Sequence, residues 1–378
     1  MKRPAPEAPV SPTYSLGTVD ITAADIAAVT AVLQSGRISP GRVTAEFEAA
    51  YARAHGHEHG AFVNSGQTAL ELALRAQIEL RKPMATFAVL IPATTYISTF
   101  SAVINAGLRP VLRDIGPDFQ IADEPAPDEE PWDLFMPVHL YGVSKPYESA
   151  AVEDACEASY ALRVGRGACS AHSFYPSHII ATGAGGMVTT NSAALIKLVR
   201  RLANHGRTDP NAGYVSHALD SQDVSHQFTF DLIGTSSKGS DIIAALGLSQ
   251  HARGPAAVAS RRRNAAHLRD QLVGCPRVTC PPCPPGEEFY FQFPLLAQNK
   301  AAKKRLVKYL NAAGVQTRDA MPLVTQPVVA SYFGRNFDPR RWPQAFDYAQ
   351  RAFHVGIHQD LTQGDVDRLA RLLWEAPK

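Results

Sequence analysis

The sequence predicts an α/β protein with a central, mostly parallel sheet, followed by a small C-terminal α+β domain. Short apolar runs alternate with helical periods over the first 250 residues, the pattern of strands covered by helices on both faces. The chain has 378 residues, more than the roughly 250 to 300 that a single hydrophobic core takes up, so a second domain is expected. Near residue 250 arginine-rich helical sequence leads into a proline-dense loop over 275–286, and the domains are accordingly 19–250 and 251–378.

Each element has its own signal. The proline-rich residues 1–18 form a loose N-terminal arm, with Lys2 and Arg3 but no apolar stretch of a secretion signal behind them. A helix starts after Thr22, with Asp25 in its first turn, Ile26, Val29 and Leu33 on its apolar face, and Gly36 as its stop. Residues 61–64 read as a strand end, 66–76 as a helix, 86–91 as a buried strand and 96–106 as a helix. Apolar runs at 134–138, 151–153, 170–174 and 187–190 supply further strands, and 193–204 a helix. In the small domain a helix is expected over 258–272, an alternating strand over 289–295 and a helix over 300–313. A last helix is capped by Thr362, with Val366, Leu369 and Leu373 on one face.

Composition excludes several functions. There are 37 Lys and Arg against 35 Asp and Glu, a net charge of +2, so no global field draws nucleic acid or an anionic membrane, and any bound phosphate is held locally. The run from Arg261 to Arg263 reads as a solvated helix face. No stretch approaches the ~20 apolar residues of a membrane span. Five cysteines without a secretion signal point to reduced thiols and a cytoplasmic protein. Cys275, Cys280 and Cys283 resemble part of an iron–sulfur spacing, but such a cluster needs four thiolates. The histidines show no metal-binding spacing, and no metal is expected.

Three motifs carry chemistry. Asn64-Ser65-Gly66-Gln67-Thr68 lies between a strand and a helix, where free N–H groups and the positive helix end hold phosphate; an ordinary tight turn reads the same way. Val152-Glu153-Asp154-Ala155-Cys156-Glu157 puts a carboxylate after a strand, at the sheet edge where ligands collect. There an aspartate can pair with a pyridinium nitrogen, or simply cap a helix. Ser173-Phe174-Tyr175-Pro176-Ser177-His178 is followed by Gly183-Ala184-Gly185-Gly186.

In this order, over nearly the whole chain, the motifs resemble the DegT/DnrJ/EryC1/StrS sugar aminotransferase family of pyridoxal-phosphate fold type I. Gly36-Arg37, Ile91-Pro92 with Tyr96, Val138-His139-Leu140-Tyr141-Gly142 and His205-Gly206-Arg207 agree. Residues 234–250 resemble the family's stretch that reaches a neighbouring subunit. The resemblance implies a homodimer with shared active sites. It places Ser65, Gly66, Gln67 and Ser173 around the phosphate of pyridoxal or pyridoxamine phosphate, Tyr96 on the ring and Asp154 on its nitrogen. Glu157 joins the cofactor-binding set, as does Ser236 across the interface, where the family has an asparagine. Arg207 and Lys238 are the substrate-side cations.

His178 stands where the family has the lysine that anchors the cofactor covalently. Imidazole has no primary amine, so the cofactor must be held noncovalently, but it exchanges protons near neutral pH. The same exchange marks the branch of 3-dehydratases acting on nucleotide-linked 4-keto-6-deoxyhexoses. Val63-Asn64-Ser65-Gly66, the Glu153–Glu157 run and Phe353-His354-Val355-Gly356 also resemble that branch. The implied function is removal of the C3 hydroxyl with His178 as base. Ala184, Gln67, Thr68 and Ser236-Ser237-Lys238 depart from the family and leave the substrate open. An aminotransferase or decarboxylase acting on an amino substrate, or an inactive cofactor-binding protein, are the alternatives.

Overall fold

The computed structural model describes residues 14–82, 87–126, 129–209, 228–283 and 286–377. Within them α1 (Ala23–Ser35) and α2 (Arg42–Ala54) lead into β1 (His59–Val63) and α3 (Gly66–Arg81). Then come β2 (Ala88–Pro92), α4 (Ile97–Asn105), β3 (Arg109–Arg113), β4 (Leu134–Phe135), β5 (Glu153–Asp154), β6 (Ser170–Ser173), β7 (Gly186–Thr190) and α5 (Ala193–Ala203). Strand β2 is buried along its whole length, as a strand covered on both faces must be. It pairs in parallel with β3 and β4, and β5 pairs in parallel with β6.

The two groups of strands join just beyond β4. The Asp154 N–H donates to the Pro137 carbonyl and the His139 N–H to the Asp154 carbonyl, both at 2.9 Å. The order of the large sheet is therefore β3-β2-β4-β5-β6-β7-β1. Strand β7 alone runs against its neighbours β1 and β6. Residues 174–185, which connect β6 to β7, contain no helix, so the chain returns beside the strand it has left rather than crossing over. The sheet is mostly parallel, with that exception.

Helices α6 (Asp241–His251) and α7 (Gly254–Gln271) lead into an antiparallel sheet. Its strands β8 (Val278–Thr279), β9 (Phe293–Ala297), β10 (Thr317–Asp319) and β11 (Ala352–Val355) lie in the order β10-β11-β9-β8. Helices α8 (Lys300–Ala312), α9 (Pro327–Phe333), α10 (Pro343–Arg351) and α11 (Gln363–Glu375) complete the α+β part. One hydrophobic cluster runs through both parts of the chain, from Val63 and Val89 to Leu295 and Leu369.

The caps form as the sequence predicts. Thr22 and Asp25 make reciprocal side-chain bonds to each other's N–H, and Gly36 closes α1 at φ 68°. Thr362 and Asp365 do the same for α11, whose Val366, Leu369 and Leu373 are buried. The face of α1 differs from expectation. Ile26 and Leu33 are 59% and 54% exposed, while Asp25 and Val32 are buried, because Arg253 donates to the Asp25 carboxylate at 2.6 Å and turns that side inward.

Four further expectations change. Arg261 is not on a solvated face but 1% exposed, its guanidinium donating to Gln359 Oε1 at 2.8 Å and the Phe291 carbonyl at 3.3 Å. Strand β9 starts at Phe293 because residues 289–292 bond to the large sheet's loops instead, Phe291 N–H to the Tyr141 carbonyl and Tyr290 hydroxyl to the Ser159 carbonyl. The proline-dense loop contains β8. Tyr14, at the described end of the arm, is buried and tied down: its N–H donates to the Gly314 carbonyl and its hydroxyl to the Gly356 carbonyl. Residues 1–13 and Thr86 lie outside the described residues. No helix among the described residues is long and apolar enough to cross a membrane.

Candidate active site

The carboxyl ends of β1, β5 and β6 open onto a cavity of about 480 Å³, at the edge where open α/β sheets collect ligands and within the size range of small-molecule sites. Strand β1 delivers the start of α3. Ser65 is extended and its hydroxyl accepts the Thr68 N–H at 3.1 Å. Helix geometry leaves the N–H groups of Gly66 and Gln67 without intrahelical acceptors, at the positive end of the helix. A Cβ on Gly66 would lie 2.5 Å from the Ser173 Cβ and 3.0 Å from the Cys156 sulfur. Glycine is thus what lets the end of β6 sit against the helix start, placing the Ser173 hydroxyl beside free backbone donors.

Strand β5 delivers Asp154, which is 4% exposed. Its carboxylate accepts the Thr99 hydroxyl at 2.7 Å and the Cys156 N–H at 3.2 Å. Burial pushes its pKa up, and these two bonds oppose the rise. Thr99 stands in the first turn of α4, whose N-cap is Tyr96, an exposed ring on the same cavity. Glu157 accepts the Tyr141 N–H at 2.8 Å. Burial, reinforced by the neighbouring Asp154, pushes the Glu157 carboxyl up to about 8 against the pull of that bond.

His178 follows β6 and lines the cavity. Its Nδ1 lies 2.6 Å from the Cys156 carbonyl. A carbonyl only accepts, so Nδ1 carries the proton and Nε2 keeps its lone pair. The Phe291 ring covers the imidazole at a centroid distance of 5.1 Å. Burial pulls the His178 pKa down to about 4, the Arg261 cation adding to it and the Cys156 bond opposing. The ring is neutral at pH 7, with a free base nitrogen.

The structure brings Ser65, Gly66, Gln67, Tyr96, Asp154, Glu157, Ser173 and His178 together around one cavity. Ser236, Arg207 and Lys238 do not line it. Ser236 bridges Asn204, Lys238 donates to Asn204 Oδ1 at 2.8 Å, and the Arg207 guanidinium lies over Phe228 and Phe230. Sequence reasoning missed Thr99, although its place one turn after Tyr96 was readable. It also missed Gln292 and Arg318, which carry no motif, and left His354 as part of a wording match. Among the described residues no three His, Cys, Asp or Glu side chains converge as metal ligands, and the Cys283 sulfur is met by Arg269 at 2.9 Å.

This sheet order, with a helix start and a buried aspartate at its carboxyl edge, defines a pyridoxal-phosphate fold-type I protein. The model of the DegT/DnrJ/EryC1/StrS aminotransferase family matches residues 19–373, and the chain belongs to that family. It is 30% identical over 358 residues to the GDP-perosamine synthase of Caulobacter vibrioides, covering 89% of this chain and 90% of that protein. It is 29% identical to the dTDP-4-dehydro-2,6-dideoxy-D-glucose 3-dehydratase of Saccharopolyspora spinosa, over 82% of this chain and 76% of the relative. The Escherichia coli GDP-4-keto-6-deoxy-D-mannose-3-dehydratase structure superposes with a TM-score of 0.80 at 22% identity, covering 96% and 100% of the two chains. That likeness is one of fold.

Proposed function

We propose that this protein is a dehydratase that removes the C3 hydroxyl of a nucleotide-linked 4-keto-6-deoxyhexose, using pyridoxamine phosphate held without a covalent bond. The observation that carries the reading is His178: an imidazole at the anchoring position that lines the cavity, with its proton held on Nδ1 by the Cys156 carbonyl. The 3-dehydratase named among the relatives supports it.

The residues present fit the cofactor. The Gly66 and Gln67 N–H groups and the Ser173 hydroxyl hold its phosphate, with Ser65 fixing the helix start. Tyr96 covers the ring. Asp154, buried and aimed into the cavity, pairs with the ring nitrogen, and that partner favours the carboxylate over the protonated form that burial alone promotes. Glu157 closes the same side. When bound, the cofactor supplies an electron sink for bond breaking next to the carbonyl carbon. His178, whose Nδ1 proton is held by the Cys156 carbonyl, would act as the base through Nε2 and would return the proton to the C3 oxygen, which would leave as water.

A homodimer with shared sites is part of this proposal. The exposed Ile26 and Leu33 of α1 support a covered face, and Ser236, Arg207 and Lys238, absent from their own chain's cavity, would serve the second copy. The division at residue 250, supported by the grouping of strands, and a cytoplasmic setting, supported by five unpaired thiols, belong to it too.

The test is borohydride reduction of the protein with pyridoxal phosphate, read by denatured intact mass. Wild type is expected to carry no adduct and His178→Lys to gain one. A labelled wild type means that another lysine anchors the cofactor, and the reading gives way to transamination. In solvent deuterium, with a nucleotide-linked 4-keto-6-deoxyhexose present, wild type is expected to exchange the methylene proton of bound pyridoxamine phosphate and His178→Asn is not. Absence of exchange in wild type marks an inactive binding protein.

A further inference from the structure

The cavity has a wall that neither the cofactor nor the base uses. It belongs to the small antiparallel sheet. Arg318 on β10 is directly opposite His354 on β11, and His354 is opposite Pro294 on β9. Residues directly opposite on antiparallel strands share a face. Gln292, just ahead of β9, lines the same cavity.

Gln292 and His354 are 3% and 1% exposed, yet Gln292 Oε1 and His354 Nε2 have no hydrogen-bond partner. A buried polar atom without a partner costs about 1–3 kcal/mol, so two of them on one cavity wall point to groups supplied from outside the chain. The other ring nitrogen of His354 faces the Tyr141 hydroxyl at 3.5 Å. Burial, with Arg318 and Lys303 nearby, draws its pKa down to about 3, so the imidazole meets its ligand uncharged. Arg318 is exposed and no carboxylate among the described residues pairs with it, the adjacent Asp319 being taken by Lys303 at 2.7 Å.

The wall therefore offers neutral donors and acceptors within the cavity and one cation on the solvent side. A carboxylate bound inside would need charge where there is none. A hydroxylated ring needs what is there, and an anionic linker suits the exposed guanidinium.

We propose that Gln292, His354 and Arg318 form the sugar-recognition wall of this site, Gln292 and His354 binding ring hydroxyls and Arg318 the phosphate that links hexose to nucleotide. The proposal rests on the substrate class inferred above and adds the residues that read it.

Calorimetric titration of the pyridoxal-phosphate-loaded protein with GDP-mannose, dTDP-glucose and UDP-glucose, and with the matching nucleoside diphosphates, tests it. Wild type is expected to bind at least one sugar nucleotide. Arg318→Gln weakens both the sugar nucleotide and its nucleoside diphosphate about tenfold, as loss of a charged hydrogen bond does. Gln292→Leu and His354→Phe weaken the sugar nucleotide about fivefold and leave the nucleoside diphosphate unchanged. Unaltered affinity in these variants overturns the wall while the substrate class stands. Wild type that takes up pyridoxal phosphate but none of the three sugar nucleotides overturns the substrate class and the wall together. Should a buried substitution abolish pyridoxal phosphate binding, Arg318→Gln, on an exposed position, decides alone.

Discussion

A lysine at position 178 would bring a covalent tether and a positive charge to the cofactor, and the histidine there brings neither. Its value lies in one lone pair, which the Cys156 carbonyl frees by holding the proton on Nδ1. Burial and the Arg261 guanidinium keep that lone pair available, with the pKa drawn down to about 4. The lowered pKa means that the folded chain binds this proton less readily than the unfolded chain. The corresponding stability is full above about 6.5 and is lost as pH falls towards 4. In activity, the acid limb of kcat/KM due to His178 is expected well below the ordinary imidazole value, towards 4. Arg261→Met, which removes the cation and releases the Phe291 carbonyl, is expected to move that limb upward, and a pH–rate profile checks both. The sequence made His178 legible because it broke a known wording at one position. Arg261 was not legible, since a run of arginines shows charge without showing what packs around it.

At the start of α3, the close approach of the Ser173 side chain to Gly66 sets the geometry on which the proposed phosphate site depends. Gly66→Ala would press a methyl group into the Ser173 side chain. It is expected to destabilise the fold by about 1–3 kcal/mol, the usual cost of overpacking, and to weaken pyridoxal phosphate binding; urea unfolding and cofactor titration measure the two effects. Elements whose signals are local were legible. The Thr22 and Thr362 caps form within four residues of chain, and the apolar face of α11 matches its period. Elements set by distant partners were not. The face α1 buries is decided by Arg253, 228 residues from Asp25, and the reversed direction of β7 depends on a helix-free connection. The proposed recognition wall is a further case, because β10 and β11, separated by helices α9 and α10, must find their register before Arg318 and His354 share a face.

Taken as a whole, the molecule has a main hydrophobic cluster that runs through both parts and an apolar flank that the single chain leaves open. Val19, Ile21, Ile26, Leu33 and Ile38, each about half exposed, lie on α1 and its immediate flanks. Sedimentation velocity is expected to show a dimer, and Ile26→Asp combined with Leu33→Asp to give a monomer with weaker cofactor binding. A dimer unaffected by both substitutions would place the interface elsewhere. Tyr14 has a further consequence, one that concerns synthesis. Its partners are the carbonyls of Gly314 and Gly356, the latter 342 residues away, and a ribosome adds about 5–20 residues per second. The early chain must therefore wait on the order of tens of seconds before the small sheet emerges to receive it. Nascent chains stalled before residue 314 are expected to be cleaved by protease near Tyr14, and released full-length chains to be protected there.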